Sequence, residues 1–196
     1  MRAEDIVALY LLLVERAVQL WVDGGWGIDA LLNQQTRPHN DFDALVHFDD
    51  LVTMTEVLAA HDFKLKEIWS ENRWVSHSVQ VQLIGREQVA NKEVATAFVL
   101  RDGNGHELDI HVLNFDDRGY GIPAWDSNFI FPPDAFEGRG VIAGTPVRCL
   151  SAQMQMATHT GYALQDKDLH DLQLLHKRFG VAYLEEQAHI LLGAGA

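Results

Sequence analysis

The chain has 196 residues, 47% hydrophobic and 22% charged, which suits one globular domain, or a core with a small appendage. Fifteen Lys and Arg against 28 Asp and Glu give a formal net charge of −13, which argues against a duplex-binding protein because neutralising phosphates needs a basic face. The single cysteine, Cys149, excludes an internal disulfide framework and a multi-cysteine zinc site, and no apolar run reaches the roughly 18 residues of a membrane-spanning helix.

Ile6, Leu9, Tyr10, Leu13 and Ala17 recur at helical spacing and predict an amphipathic helix over 3–20. Glu4, Asp5 and Glu15 interrupt that stretch and make it a poor signal peptide; with the lone cysteine, the chain reads as soluble and cytoplasmic. Leu20 to Asp23 reads as a short strand stopping at the Gly24-Gly25 turn, and Ile28 to Leu32 as a short helix broken by Thr36-Arg37-Pro38. Phe42 to Phe48 predicts a second strand, and Asp49 or Asp50 caps a helix from Leu51 to about His61. From Lys64 to Leu113 the pattern is β-rich. Val79, Val81 and Leu83 alternate with glutamines, and strands 96–101 and 106–113 flank the hairpin signal Asp102-Gly103-Asn104-Gly105. Residues 114–138 read as a long irregular segment of the kind that builds binding sites, followed by a small hairpin around Gly144-Thr145-Pro146. Ser151 caps a helix through Tyr162, and two more helices follow over about 166–179 and 181–192. The order predicts an α+β or mixed α/β fold. Its expected division is a core over 1–149 and a helical segment over 150–196 packed on it.

Three features carry chemistry. Gly24-Gly25-Trp26-Gly27 lies between a strand and a helix, where glycines let a backbone approach a phosphate and a helix start offers free amides; its bland reading is a tight turn. Asp41 and Asp43, two apart on a strand, share a face, a costly like-charge pair unless a hard cation such as magnesium sits between them; a solvated acidic turn is the alternative. In Glu107-Leu108-Asp109-Ile110-His111-Val112 the apolar residues face one way and Glu107, Asp109 and His111 the other. A carboxylate from that strand beside Asp41 and Asp43 would complete a two-metal cluster for in-line phosphoryl displacement.

Gly24-Gly25-Trp26 followed by Asp41-x-Asp43, with a later strand acid at Asp109, resembles the nucleotidyltransferase superfamily. The stretch VDGGWGIDALLNQQTRPHNDFDALV is similar to its antibiotic-modifying branch, the lincosamide nucleotidyltransferases and aminoglycoside 2''-adenylyltransferases, and residues 141–175 resemble the carboxyl-terminal part of such proteins. The resemblance implies a nucleotidyltransferase-like mixed sheet flanked by helices, with C-terminal helices. It implies Gly24 and Gly25 facing a triphosphate, Asp41 and Asp43 binding two magnesium ions, and Asp109 binding one of them and drawing the acceptor proton. Trp26 stands where many members carry a phosphate-binding serine. This matches the antibiotic-modifying branch, loses one phosphate contact, and keeps Trp26 in the nucleotide-binding set. Arg37 and Lys167 are the candidates to neutralise the β- and γ-phosphates. Arg37 reads equally as a surface arginine beside a turn, and Lys167, four before Asp171, reads also as half of a helical ion pair. His39 either touches phosphate or orders its loop, the second being favoured, and Glu107 is a candidate accessory base. Trp69, Trp74, Trp125 and Tyr120 line an adenine or sugar pocket or pack the core.

The implied activity is magnesium-dependent transfer of a nucleoside monophosphate, AMP from ATP in the leading case, to a hydroxyl of a small molecule, a lincosamide or aminoglycoside being the candidate acceptor. The expected partners are the nucleoside triphosphate and this acceptor, with no nucleic acid and no membrane, in a monomer or homodimer. The alternative is a protein of this fold that binds nucleotide or modifies a protein partner. Placement of Asp109 on the opposite sheet face from Asp41 and Asp43 would contradict all of these.

Overall fold

The computed structural model describes residues 1–70, 73–76, 97–123 and 129–193, with side chains for all of these except 68–70 and 73–76. The expected alternation at Val79, Val81 and Leu83 and the placement of Trp125 lie outside the described residues, as do the side chains of Trp69 and Trp74.

The helical spacing near the N-terminus builds α1 (Ala3–Val14), which buries Ile6, Leu9, Tyr10 and Leu13. β1 (Leu20–Val22) runs antiparallel to β2 (Asp41–His47). β2 lies parallel to β6 (Glu107–Phe115), and β6 antiparallel to β5 (Ala97–Arg101). β5 pairs with β3 (Lys64–Ser70), and β3 with β4 (Arg73–Ser76), both antiparallel. The sheet order is β1-β2-β6-β5-β3-β4, with β7 (Gly121–Pro123) added against β6. One parallel pair in an antiparallel sheet, flanked by helices, is the mixed α+β class expected from the sequence. A separate hairpin joins β8 (Arg139–Ile142) to β9 (Thr145–Arg148). The remaining described helices are α2 (Gly24–Leu32), α3 (Leu51–Ala60), α4 (Ala152–Thr158), α5 (Asp166–Phe179) and α6 (Glu185–Leu192). Among the described residues no helix is long and apolar enough to cross a membrane.

Strand alternation divides the central pair into an apolar and a polar face. Phe42, Ala44, Val46, Leu108, Ile110 and Val112 are buried and join Ile6, Leu13, Met54 and Leu58 in the main core. The opposite face is only partly covered. Trp21, Leu45, Leu113, Phe131, Phe136, Leu150 and Met154 form a second cluster there, and Ile28, Met156, Leu172 and Leu175 tie α4 and α5 to α2.

Four boundaries differ from expectation. α1 stops at Val14 rather than running to 20, because Ala17 takes a left-handed conformation at φ +61° and Leu20 already begins β1. The glycines do not precede the helix as a turn; they are its first turn, because Asp23 in an extended conformation takes the cap position and its carbonyl accepts the Gly27 N–H at 3.0 Å. α4 stops at Thr158 rather than Tyr162, where the Thr158 hydroxyl and the His159 ring both turn back to the Gln155 carbonyl and Gly161 follows at φ +81°. α6 starts at Glu185 rather than near 181, because Leu184 takes the cap position in an extended conformation and donates its N–H to the Gln187 side-chain oxygen at 2.9 Å. The segment expected to be irregular carries β7, bridged to Phe131, and a 3-10 turn over Pro133–Glu137.

Candidate active site

The parallel register pairs Asp43 with Asp109 and Asp41 with Glu107. Because side chains alternate, Asp41 and Asp43 stand on the same face as Asp109 and His111, away from the main core. A cavity of about 570 Å³ opens over that face, lined by these four, by Asp23, Gly24, Gly25, Arg37 and His39, and by Phe129, Phe131, His159, Tyr162, Lys167 and Asp168. A volume of this size suits a small-molecule site. The outcome that would have contradicted the sequence reading, Asp109 on the far face, is not observed.

The glycine turn is shaped by what presses on it. Gly24 holds φ +56°, and a Cβ there would fall inside the Asp43 carboxylate. A Cβ on Gly25 would overlap the His39 ring and lie 2.7 Å from Arg37 Nη2. Both glycines are therefore required by close approach, and both face the cavity. The loop after α2 is clamped from inside. Asp29 accepts from the Thr36 N–H at 3.0 Å and hydroxyl at 2.6 Å, and its other oxygen meets His39 Nε2 at 2.5 Å. His39 is buried and packs on Trp26, with ring centroids 4.7 Å apart. It orders the loop and also forms part of the cavity wall.

The acids crowd one another. Burial, then the charges of Asp41, Asp109 and Asp23, push the Asp43 carboxyl well above the usual carboxylate range, while Lys167 opposes the shift. Burial also raises Asp23, and the Gly24 N–H, His111 and His159 only partly offset it. One oxygen of Asp23 is buried with no hydrogen-bond partner among the described residues. His111 Nε2 lies 3.3 Å from an Asp109 oxygen; burial works against its charge, but Asp109 and Asp23 raise its proton affinity on balance.

An all-oxygen set with Asp43 held partly against ionisation has the chemistry of a site for a hard cation. Among the described residues, however, no three acidic, histidine or cysteine side chains are drawn together as a ready-made metal cage. Asp41, Asp43 and Asp109 line the cavity as an open set of carboxylates on one sheet face. Such a set fits magnesium in particular, which is held by one or two carboxylates together with substrate phosphates rather than by an all-protein cage.

Trp26 departs from the expected nucleotide-binding set. It is 1% exposed, belongs to the main core and does not line the cavity, because helix periodicity turns it inward while Gly24 and Gly25 face out. We expect Trp26→Phe to cost about 1–3 kcal/mol of stability in urea unfolding while leaving nucleotide affinity unchanged. Glu107 is ion-paired with Arg101 and does not line the cavity, so the accessory-base expectation fails for it. Tyr120 lies outside the cavity wall, with the Arg118 guanidinium 4.9 Å above its ring.

Lys167 lines the cavity, and the ion pair expected between it and Asp171 is replaced by another. Arg37 Nε and Nη2 both reach Asp171, at 3.1 and 2.5 Å. The sequence assigns no site role to Asp23, Asp29 or His159, and it names His111 only as a strand-face neighbour of Asp109 and Asp171 only as a partner for Lys167. His111 follows from strand alternation with Asp109, and Asp23 from its place before the glycines; nothing local in the sequence marks Asp29 or Asp171.

The sequence model of the aminoglycoside-2''-adenylyltransferase family matches residues 5–93 and 82–175. A lincosamide resistance protein of Staphylococcus haemolyticus is 28% identical over 160 residues, covering 81% of this chain and 84% of the relative. A 2''-aminoglycoside nucleotidyltransferase of Escherichia coli is 31% identical over 137 residues, 70% of this chain and 60% of the relative. The fold is shared with a lincosamide antibiotic adenylyltransferase solved with lincomycin bound, at TM-score 0.67 and 23% identity over 88% of this chain and 94% of that one. It is shared also with an aminoglycoside 2''-nucleotidyltransferase solved with adenylyl-2''-tobramycin, at TM-score 0.64 and 20% identity over 96% and 93%. Fold and sequence together define an enzyme of the nucleotidyltransferase class. The chain belongs to the aminoglycoside-2''-adenylyltransferase family.

Proposed function

We propose that this chain transfers a nucleoside monophosphate from a magnesium-bound nucleoside triphosphate, ATP in the first instance, to a hydroxyl of a small cationic antibiotic of the lincosamide or aminoglycoside class. The observation that carries this reading is the pairing of Asp43 with Asp109 on parallel neighbouring strands, beside Gly24 and inside one cavity. Gly24 and Gly25 bring backbone close to the triphosphate, and Arg37 and Lys167 balance the charge of its β- and γ-phosphates. Asp41, Asp43 and Asp109 would hold magnesium, which when bound neutralises charge building on the phosphates and lowers the proton affinity of the acceptor hydroxyl. Asp109 accepts the proton of that hydroxyl as its oxygen bonds to the α-phosphorus and the bond to pyrophosphate breaks. His111, beside Asp109, steadies the carboxylate. The acidic wall formed by Asp23 and Asp168 suits an acceptor carrying amines.

A concave site walled by Phe129, Phe131 and the 159–162 stretch favours a small acceptor over a protein surface. Incubation with magnesium, ATP and a panel of lincosamides and aminoglycosides tests this directly. We expect one acceptor class to gain the mass of a nucleotidyl group with release of pyrophosphate. No modified acceptor of either class would overturn the proposal, whether or not nucleotide binds in calorimetry.

A further inference from the structure

We infer that Asp171 is a positioning residue that aims Arg37 at the phosphate side of the cavity, making α5 part of the nucleotide-binding machinery through a residue that never touches the ligand. The inference rests on the reading of Arg37 as a phosphate ligand.

The Asp171 side chain is 1% exposed and the Arg37 side chain 21% exposed, so the pair has a sealed end and an open end. Asp171 takes Nε and Nη2 of Arg37, the bidentate geometry that fixes a guanidinium plane. Nη1 is left with only a 3.4 Å approach to the Pro38 carbonyl. Gly25 lies against the same guanidinium, so the plane is held between the glycine turn and α5. Burial works against the charge of Arg37, but Asp171 first, then Asp29 and Asp168, restores and strengthens it. One helical turn before Asp171, Lys167 lines the cavity from the same helix. α5 thus supplies one cation directly and orients the other from behind. An arginine released from Asp171 keeps its charge but loses its fixed direction, which is what bidentate phosphate recognition needs.

The test is calorimetric binding of inorganic pyrophosphate, with magnesium, to the full chain and to Asp171→Asn, Arg37→Ala and the double variant, each checked for native circular dichroism. Asp171→Asn should weaken pyrophosphate binding by about tenfold or more. It should raise KM for the triphosphate in step while leaving KM for the acceptor unchanged. The double variant should bind no more weakly than Arg37→Ala alone, because the two residues act as one unit. Unchanged binding by Asp171→Asn, or losses that multiply in the double variant, would overturn the inference. If Asp171→Asn does not fold, the Arg37 Nε–H resonance of the unmutated chain, assigned by its loss in Arg37→Lys, decides. Protection from exchange and a shift on saturation with pyrophosphate support the inference, and an exchanging, unshifted resonance contradicts it. Pyrophosphate binding that depends on Asp171 without transfer to any acceptor would leave this inference standing and remove the proposed function. A parent chain that does not bind pyrophosphate removes this inference, and the acceptor panel alone then decides the proposed function.

Discussion

Asp43→Asn is expected to lower the rate of nucleotidyl transfer by at least about a thousandfold at saturating magnesium and triphosphate, with the fold intact. Asp43 is the register partner of Asp109, lies against Gly24 and receives the combined repulsion of Asp41, Asp109 and Asp23. An amide keeps the shape and removes the charge that a cation needs. The same substitution should not destabilise the metal-free protein. The folded carboxyl binds its proton more tightly than the unfolded one, so this group's contribution to stability falls as pH rises above the ordinary value of 3.8. Denaturation in chelator across pH checks this: above pH 3.8 the stability of Asp43→Asn relative to the parent should rise with pH, and its midpoint should be no lower. A variant turning over at the parent rate would remove Asp43 from the mechanism.

Gly24→Ala carries the second large effect, and here the cause is shape rather than charge. A side chain at φ +56° costs roughly 1–2 kcal/mol in left-handed backbone strain. Its Cβ must also displace the Asp43 carboxylate, and a shift of about 1 Å in a reacting group can lower turnover by about a hundredfold. Gly144 separates the two costs. It holds φ +81° in the β8–β9 turn with nothing within 4 Å of an added Cβ. Gly144→Ala should lose similar stability in urea and keep its turnover, whereas Gly24→Ala should lose both. Equal activity losses in the two variants would mean that the glycine bend acts only through stability.

The legible parts of the sequence were those written in short-range pattern. Alternation along 107–112 put Asp109 and His111 on one face, and the spacing of Asp41 and Asp43 put both on one face of β2, because strand periodicity needs no partner to be read. The span of α5 was legible for the same reason, its apolar stripe being regular and Gly180 ending it. What escaped was long-range. Asp171 meets Arg37 across 134 positions, so its local spacing suggested Lys167 as partner, and only the packing of α5 on α2 reveals the true pairing. The place of Trp26 is not legible because the sequence shows that it follows the glycines but not which side of the first helical turn faces the core. The start of α2 at Gly24 was hidden because glycine normally weakens a helix; here the crowding of Asp43, His39 and Arg37 leaves no room for a Cβ.

The central claim, that Asp41, Asp43 and Asp109 together make the cation site beside the glycine turn, is tested most directly by manganese. The chain is titrated with Mn²⁺ in the presence of a non-hydrolysable nucleoside triphosphate, with free ion followed by electron paramagnetic resonance. The parent chain and Glu107→Gln, whose carboxylate faces Arg101 outside the cavity, should take up manganese alike, and Asp43→Asn and Asp109→Asn should each take up distinctly less. Four superimposable curves would contradict the account.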